Sequence, residues 1–292
     1  MHNLDVYTQK MNNNEQLTKA VKPYEKDIGH LDIYECYKQS PYRSAKHASY
    51  FQVYAELLEP YRNKPITFVE VGILDGGSLF MWRSYFGPQA RIIGVEFNPL
   101  AKRWEQDGFE IHIGSQSDPI FWHNFFKQIG DVDIVLDDGG HTYEQQIVTA
   151  HECIPHIKNG GLLIVEDTHT SYFKSFGYPT KYSFIEWTKA LIDNINSRFP
   201  AANVSNLPYK NSVFSISIFE SIVSFKINRE QCFENAPTAN DGVSMNAKDF
   251  RYHEIEDKLS LISSEAKWLK KLKKSLAKRI AKLKIARLKQ YF

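Results

Sequence analysis

Five short apolar runs recur through the middle of the chain: ITFVEV (66–71), RIIGVEF (91–97), FEIHIG (109–114), VDIVLDD (132–138) and GLLIVED (161–167). Connections of roughly ten or more residues separate them, as parallel strands require, and near-continuous apolarity predicts a sheet covered on both faces. Two further runs, VFSISIF (213–219) and SIVSFKI (221–227), are almost contiguous and leave no room for a crossover, so they predict an antiparallel hairpin. The expected fold is α/β, a Rossmann-like doubly wound sheet of five parallel strands plus a terminal antiparallel hairpin. Ahead of it, HASYFQVYAELLEPY spaces Tyr50, Val53, Tyr54, Leu57 and Leu58 as one helical face that stops at Pro60. The chain therefore divides into a lead-in and helical cap (1–62), the sheet domain (63–228), a linker or long loop (229–255) and a basic amphipathic helix (256–292).

Composition narrows the setting. Hydrophobic residues at 42% and charged residues at 24% suit a globular chain with a sizeable core, and three scattered cysteines provide neither a disulfide framework nor a zinc cluster. With a polar start and no run of about 18 apolar residues, the expectation is a cytoplasmic protein without a membrane span. The net charge of +2 conceals a split. Residues 265–292 hold eleven Lys/Arg against one acid, whereas residues 1–264 hold 25 against 33. In the tail, Leu259, Ile262, Ala266, Leu269, Leu272, Leu276, Ile280 and Leu283 share one helical face, with lysines on the others. Such a stripe needs a cover: an anionic membrane surface at the inner face, a coiled-coil partner or second copy, or the enzyme's own core. Nucleic acid fits less well, because apolar residues dominate one face.

Chemistry concentrates at the expected carboxyl ends of the strands, where open α/β sheets bind ligands. The first strand runs through Glu70 and Gly72 to Gly76, Gly77 and Ser78, a glycine-rich turn that suits a nucleotide-like ligand. Glu96 ends the second strand, where an acid can accept both hydroxyls of a ribose. The polar loop Ser115-Gln116-Ser117-Asp118 follows the third strand and could meet an adenine. Strands four and five end in Asp137-Asp138-Gly139-Gly140-His141 and Glu166-Asp167-Thr168-His169. Adjacent parallel strands would crowd Asp138, Glu166 and Asp167 together, and such repulsion calls for a countercharge. An all-oxygen set favours Mg²⁺, Mn²⁺ or Ca²⁺. His141, three residues beyond Asp138 and past two glycines, has the ordinary pKa of a general base. No GxSxG elbow supports a hydrolase.

Taken together, EVGxxxGGS, the acid after strand two, GSQSD, DDGGH and VEDTHTSYF resemble the class I S-adenosylmethionine-dependent methyltransferases. Within these, the chain is similar to the metal-dependent sugar O-methyltransferases of macrolide biosynthesis and to their cephalosporin hydroxylase-like relatives, over about residues 44–180. Leu74 and Gly140 depart from that pattern, standing where a glycine and a serine are usual. The resemblance implies methyl transfer from S-adenosylmethionine, with Mg²⁺ or Mn²⁺, to a sugar hydroxyl of a glycan or glycosylated small molecule, a lipid-linked glycan or surface polysaccharide included. It implies Asp138, Glu166 and Asp167 as metal ligands and His141 as base. Cofactor contacts would come from Glu70, Gly72, Gly76, Ser78, Glu96, Ser115, Gln116, Ser117, Asp118 and Asp137. Substrate contacts would come from His47, Tyr50, Thr170 and Tyr172, and a homo-oligomer is expected. Two other readings stand beside this one: an oxygenase or hydroxylase using His141, His151 and His169, and a non-catalytic scaffold recruited through the tail.

Overall fold

The computed structural model describes residues 25–200, 202, 209–243, 245 and 275. The lead-in over 1–24 and, Ser275 apart, the helix expected over 256–292 lie outside the described residues. Seven strands form one sheet: β1 (Thr67–Val71), β2 (Arg91–Glu96), β3 (Glu110–Ile113), β4 (Val132–Asp137), β5 (Ile157–Val165), β6 (Val213–Phe219) and β7 (Ile222–Ile227). Their order is β3-β2-β1-β4-β5-β7-β6. The β1–β2, β1–β4, β2–β3 and β4–β5 pairings are parallel, whereas β7 runs antiparallel to both β5 and β6.

Seven α-helices are described: α1 (Glu25–Ile28), α2 (Asp32–Lys38), α3 (Tyr50–Leu58), α4 (Gly77–Phe86), α5 (Pro119–Ile129), α6 (Tyr143–Cys153) and α7 (Phe184–Asn196). Alternate strand residues feed two cores. Phe68, Ile134 and Ile164 pack with α2, α3 and α4 on one face, while Val69, Val135 and Leu163 pack with α5, α6 and α7 on the other. Both faces are thus covered, which explains the nearly unbroken apolar runs.

The helix starts are written in the sequence. Asp118 and Ser183 accept from the first-turn amides of α5 and α7, and Thr142 with Gln145 forms a reciprocal capping box on α6. Described residues up to Ala236 form one compact unit. The cap helices therefore share a unit with the sheet, and the boundary after Ala236 falls within the stretch expected to be a linker. No helix among the described residues is long and apolar enough to cross a membrane.

Candidate active site

The topological switch of this sheet lies between β1 and β4, where the strand order reverses direction. Two turns meet there backbone to backbone. Asp138 donates its amide to the Val71 carbonyl (2.9 Å), and Gly72 adopts φ +83°, with so little room that a Cβ would lie 2.3 Å from the Asp138 carbonyl oxygen. Only glycine serves at this position.

On the β1–β2 side, Glu96 clamps two loops through backbone amides. One oxygen accepts from Ile73 (3.0 Å) and Leu74 (3.1 Å), the other from Phe97 (2.9 Å) and Asn98 (3.1 Å). Leu74, held at φ +40°, projects into solvent. Several residues expected to contact a cofactor are instead supports in this arrangement. Glu70 is fully buried and accepts from Ser78 Oγ (2.8 Å) and Trp82 Nε1 (3.0 Å), so it braces the first turn of α4. Burial raises its carboxyl to about 7. Gly76, at φ +79°, packs against the Trp104 ring. Gln116 is buried, donates to Asp137 Oδ1 (2.9 Å) and Thr149 (3.1 Å), and accepts from the Gly140 amide (2.7 Å). Asp118, exposed at the start of α5, is spent on its cap. Ser115 and Ser117 pair through their hydroxyls (3.0 Å) at the partly open loop.

On the β4–β5 side the acids converge. His141 (φ +59°) and Asp167 (φ +55°) both occupy the left-handed region that non-glycine residues seldom adopt, and such backbone must be held by its surroundings. Thr170 Oγ1 donates to the His141 carbonyl (3.0 Å), while Tyr50 donates to Asp167 Oδ1 (2.5 Å). His141 Nε2 lies 3.3 Å from Asp167 Oδ2. Burial alone would raise the Asp167 carboxyl, but His141, the Tyr50 hydroxyl, His47 and His169 outweigh it and hold it below the usual range. Thr170 and Tyr50, both expected as substrate contacts, are buried here and hold His141 and Asp167 in place. His47 and Tyr172 do lie open, and His47 Nε2 stands 3.6 Å from Asp167 Oδ1.

Glu166 faces inward from the same edge. It is fully buried, one oxygen taking the Tyr54 hydroxyl and the other the Lys46 ammonium (3.1 Å). Lys46 also lies 2.6 Å from Asp138 Oδ2. Donor atoms close enough to share one ion come from Asp138, His141 and Asp167, and a second such group joins His47, Asp167 and His169. Glu166, expected as a third ligand, belongs to neither group, and its two oxygens face Lys46 and Tyr54. His151 is drawn away to Tyr209, which separates it from any His141–His169 set.

Asp138 and Asp167 supply the carboxylate oxygens that Mg²⁺ or Mn²⁺ prefer, so the donor chemistry of this edge fits a hard divalent cation. Two buried atoms at this edge, His141 Nδ1 and Asp137 Oδ2, have no hydrogen-bond partner among the described residues. Buried polar atoms are usually paired, so these two leave hydrogen-bonding capacity that a polar ligand could use. Burial holds the Asp137 carboxyl up at about 6.

Residues 69–168, from mid-β1 to just beyond Asp167, match a methyltransferase domain model. This stretch is similar to a methyltransferase domain. It contains the carboxyl ends of β1 to β5 up to Asp167, but not Lys46, His47, Tyr50 and Tyr54 of α3 and its approach, nor His169, Thr170 and Tyr172. Among curated proteins, the chain is 34% identical over 149 residues to the 8-demethyl-8-(2-methoxy-alpha-L-rhamnosyl)-tetracenomycin-C 3'-O-methyltransferase of Streptomyces olivaceus, covering 46% of this chain and 38% of that one. It is 32% identical over 126 residues to the mycinamicin VI 2''-O-methyltransferase of Micromonospora griseorubida, covering 40% and 31%. The chain thus spans well under half the length of these relatives. Among solved structures, the MycE methyltransferase of the mycinamycin pathway, in complex with Mg and SAH, superposes with a TM-score of 0.61 at 25% identity, covering 68% of this chain and 55% of that one.

Lys46, which pairs with Asp138 and Glu166 at the candidate site, is the residue that sequence reasoning missed. It stands in KHASYFQVY, four residues before Tyr50 and eight before Tyr54, so three groups aimed at the acids are spaced along one stretch. That spacing was the available signal.

Proposed function

We propose that the methyltransferase domain transfers a methyl group from S-adenosylmethionine to a sugar hydroxyl, with His141 as general base. The observation that carries this reading is the His141–Asp167 pair at the switch point, beside buried atoms without partners. His141 takes the proton of the acceptor hydroxyl as its oxygen attacks the methyl carbon. The new oxygen–carbon bond forms while the carbon–sulfur bond breaks, leaving a methyl ether and S-adenosylhomocysteine. Asp167, 3.3 Å from Nε2, stabilises the imidazolium that results. Asp138 and Asp167, with Glu166 behind them, would hold Mg²⁺ or Mn²⁺, which supplies electrostatic stabilisation of charge developing on the acceptor oxygen. Glu96, Asp137 and the Ser115–Ser117 loop support a cofactor-side assignment for the β1–β3 edge.

The names of the relatives support a sugar on a glycosylated small molecule, and a polysaccharide or lipid-linked glycan is the wider class. For the tail, we infer from sequence an amphipathic surface helix that meets anionic membrane or a second copy. Truncation at residue 258 would then abolish vesicle binding or lower the oligomeric state, while activity on a small acceptor persists.

The decisive experiment incubates the protein with S-adenosylmethionine, Mg²⁺ and glycosides, and reads products by mass spectrometry. Gain of one methyl supports the proposal, and no gain across glycoside and glycan acceptors overturns it. The His47–Asp167–His169 group favours one second reading, because two histidines and a carboxylate suit Fe(II) oxygenase chemistry. Gain of one oxygen, with Fe(II) and O₂ supplied, would replace the first reading by this one.

A further inference from the structure

Lys46 places a buried positive charge among the acids of this edge. Its side chain is 1% exposed, walled by the Tyr54 and Trp82 rings at 5.8 and 5.9 Å from the ammonium. Three carboxylates surround it: Asp138 Oδ2 at 2.6 Å, Glu166 Oε2 at 3.1 Å and Glu70 Oε1 at 3.8 Å. An isolated buried ammonium would be costly, as would three buried carboxylates without a cation. Lys46 answers both demands at once. Its attachment to the chain makes it a cation that the protein cannot lose to a chelator.

We propose that Lys46 is a tethered counter-ion that keeps the acid cluster folded without a divalent metal and, by competing for Asp138 and Glu166, sets how tightly that metal is held. The affinity part rests on the reading of this edge as a divalent-cation site. With Lys46 in place, Glu166 has both oxygens committed, to the ammonium and to Tyr54, and Asp138 has one. A divalent ion entering here meets a cluster already partly neutralised. Lys46 is a positioning residue on this account, since it touches the acids and not the reacting atoms.

The test compares wild type, Lys46→Met, Lys46→Arg and the charge-balanced double variant Lys46→Met/Glu166→Gln. Thermal unfolding in chelator and Mn²⁺ affinity by titration calorimetry are measured for each. Lys46→Met is expected to melt well below wild type in chelator, yet to bind Mn²⁺ at least tenfold more tightly and to regain its stability when Mn²⁺ is added. The double variant should recover much of the chelator stability, because one charge of each sign has been removed. Lys46→Arg should stay near wild type in both measurements. Mn²⁺ affinity in Lys46→Met equal to or weaker than wild type would overturn the affinity claim. A double variant as unstable as Lys46→Met, or equally unable to fold, would overturn the counter-ion role and leave Lys46 a packing residue. Should no variant bind Mn²⁺, the divalent-cation reading falls and the affinity claim with it, whereas the chelator stabilities still decide the counter-ion role.

Discussion

The two halves of the sheet's carboxyl edge solve the same problem in opposite ways. On the β1–β2 side, the Glu96 carboxylate is satisfied by four backbone amides, all within 23 residues of it. On the β4–β5 side, Asp138, Glu166 and Asp167 are satisfied by side chains 92 to 120 residues away: Lys46, Tyr50 and Tyr54. The first arrangement is local and follows wherever the two loops fold. The second exists only once α3 and its approach have docked, so the acids of the β4–β5 side depend on long-range packing and the Glu96 clamp does not.

Substitutions can break or sharpen that contrast. The largest effect is expected from His141→Ala, which should lower turnover by roughly 10²–10⁴-fold with S-adenosylmethionine binding unchanged, the span of a positioned general base. Unaltered single-turnover rates would remove His141 from that role. Next comes Glu70→Gln. The buried Glu70 carboxyl is raised from 4.5 to about 7, so the folded chain holds its proton longer than the unfolded chain. Its contribution to stability is complete below about pH 4.5 and is lost as pH rises to about 7, a change of the order of 3 kcal/mol. Chemical denaturation across that window should show a flatter pH dependence in Glu70→Gln than in wild type.

Tyr54→Phe deletes the hydroxyl that meets Glu166 and should cost about 2 kcal/mol of stability, the usual worth of a hydrogen bond to a buried charge. If the contrast between the two sides holds, cofactor binding should be unaffected by it. The smallest effect belongs to Glu96→Ala, which frees two loops from a partly exposed clamp. Cofactor affinity should fall about tenfold while the midpoint of thermal unfolding barely moves, and calorimetry showing equal affinity would detach Glu96 from the cofactor.

The same contrast explains what could be read from sequence. Alternating runs and the near-contiguous hairpin segments made the mixed sheet legible, because strand period and connection length are local properties. DDGGH and VED located the reactive edge for the same reason. What stayed hidden were partnerships across the fold. Three crowded acids called for a divalent cation, but nothing local indicated that the Lys46 ammonium would lie between two of them. Glu70 and Gln116 carried the types expected of ligand contacts, yet each turned inward, because Ser78, Trp82, Asp137 and the Gly140 amide lie within their reach. Tyr50 and Thr170 likewise hold Asp167 and His141 in conformations that those residues would not keep alone.

The contact between Gly72 and the Asp138 carbonyl has a mechanical consequence. With no space for even a methyl group between the turns and a hydrogen bond joining their strands, the two loops behave as a single hinge plate. Any ligand that pushes on the β1 turn moves the backbone of Asp138, and any ion that draws on Asp138 tugs the β1 turn in return. The link between the two sides of the switch point thus runs through main chain and depends on no side-chain rotamer.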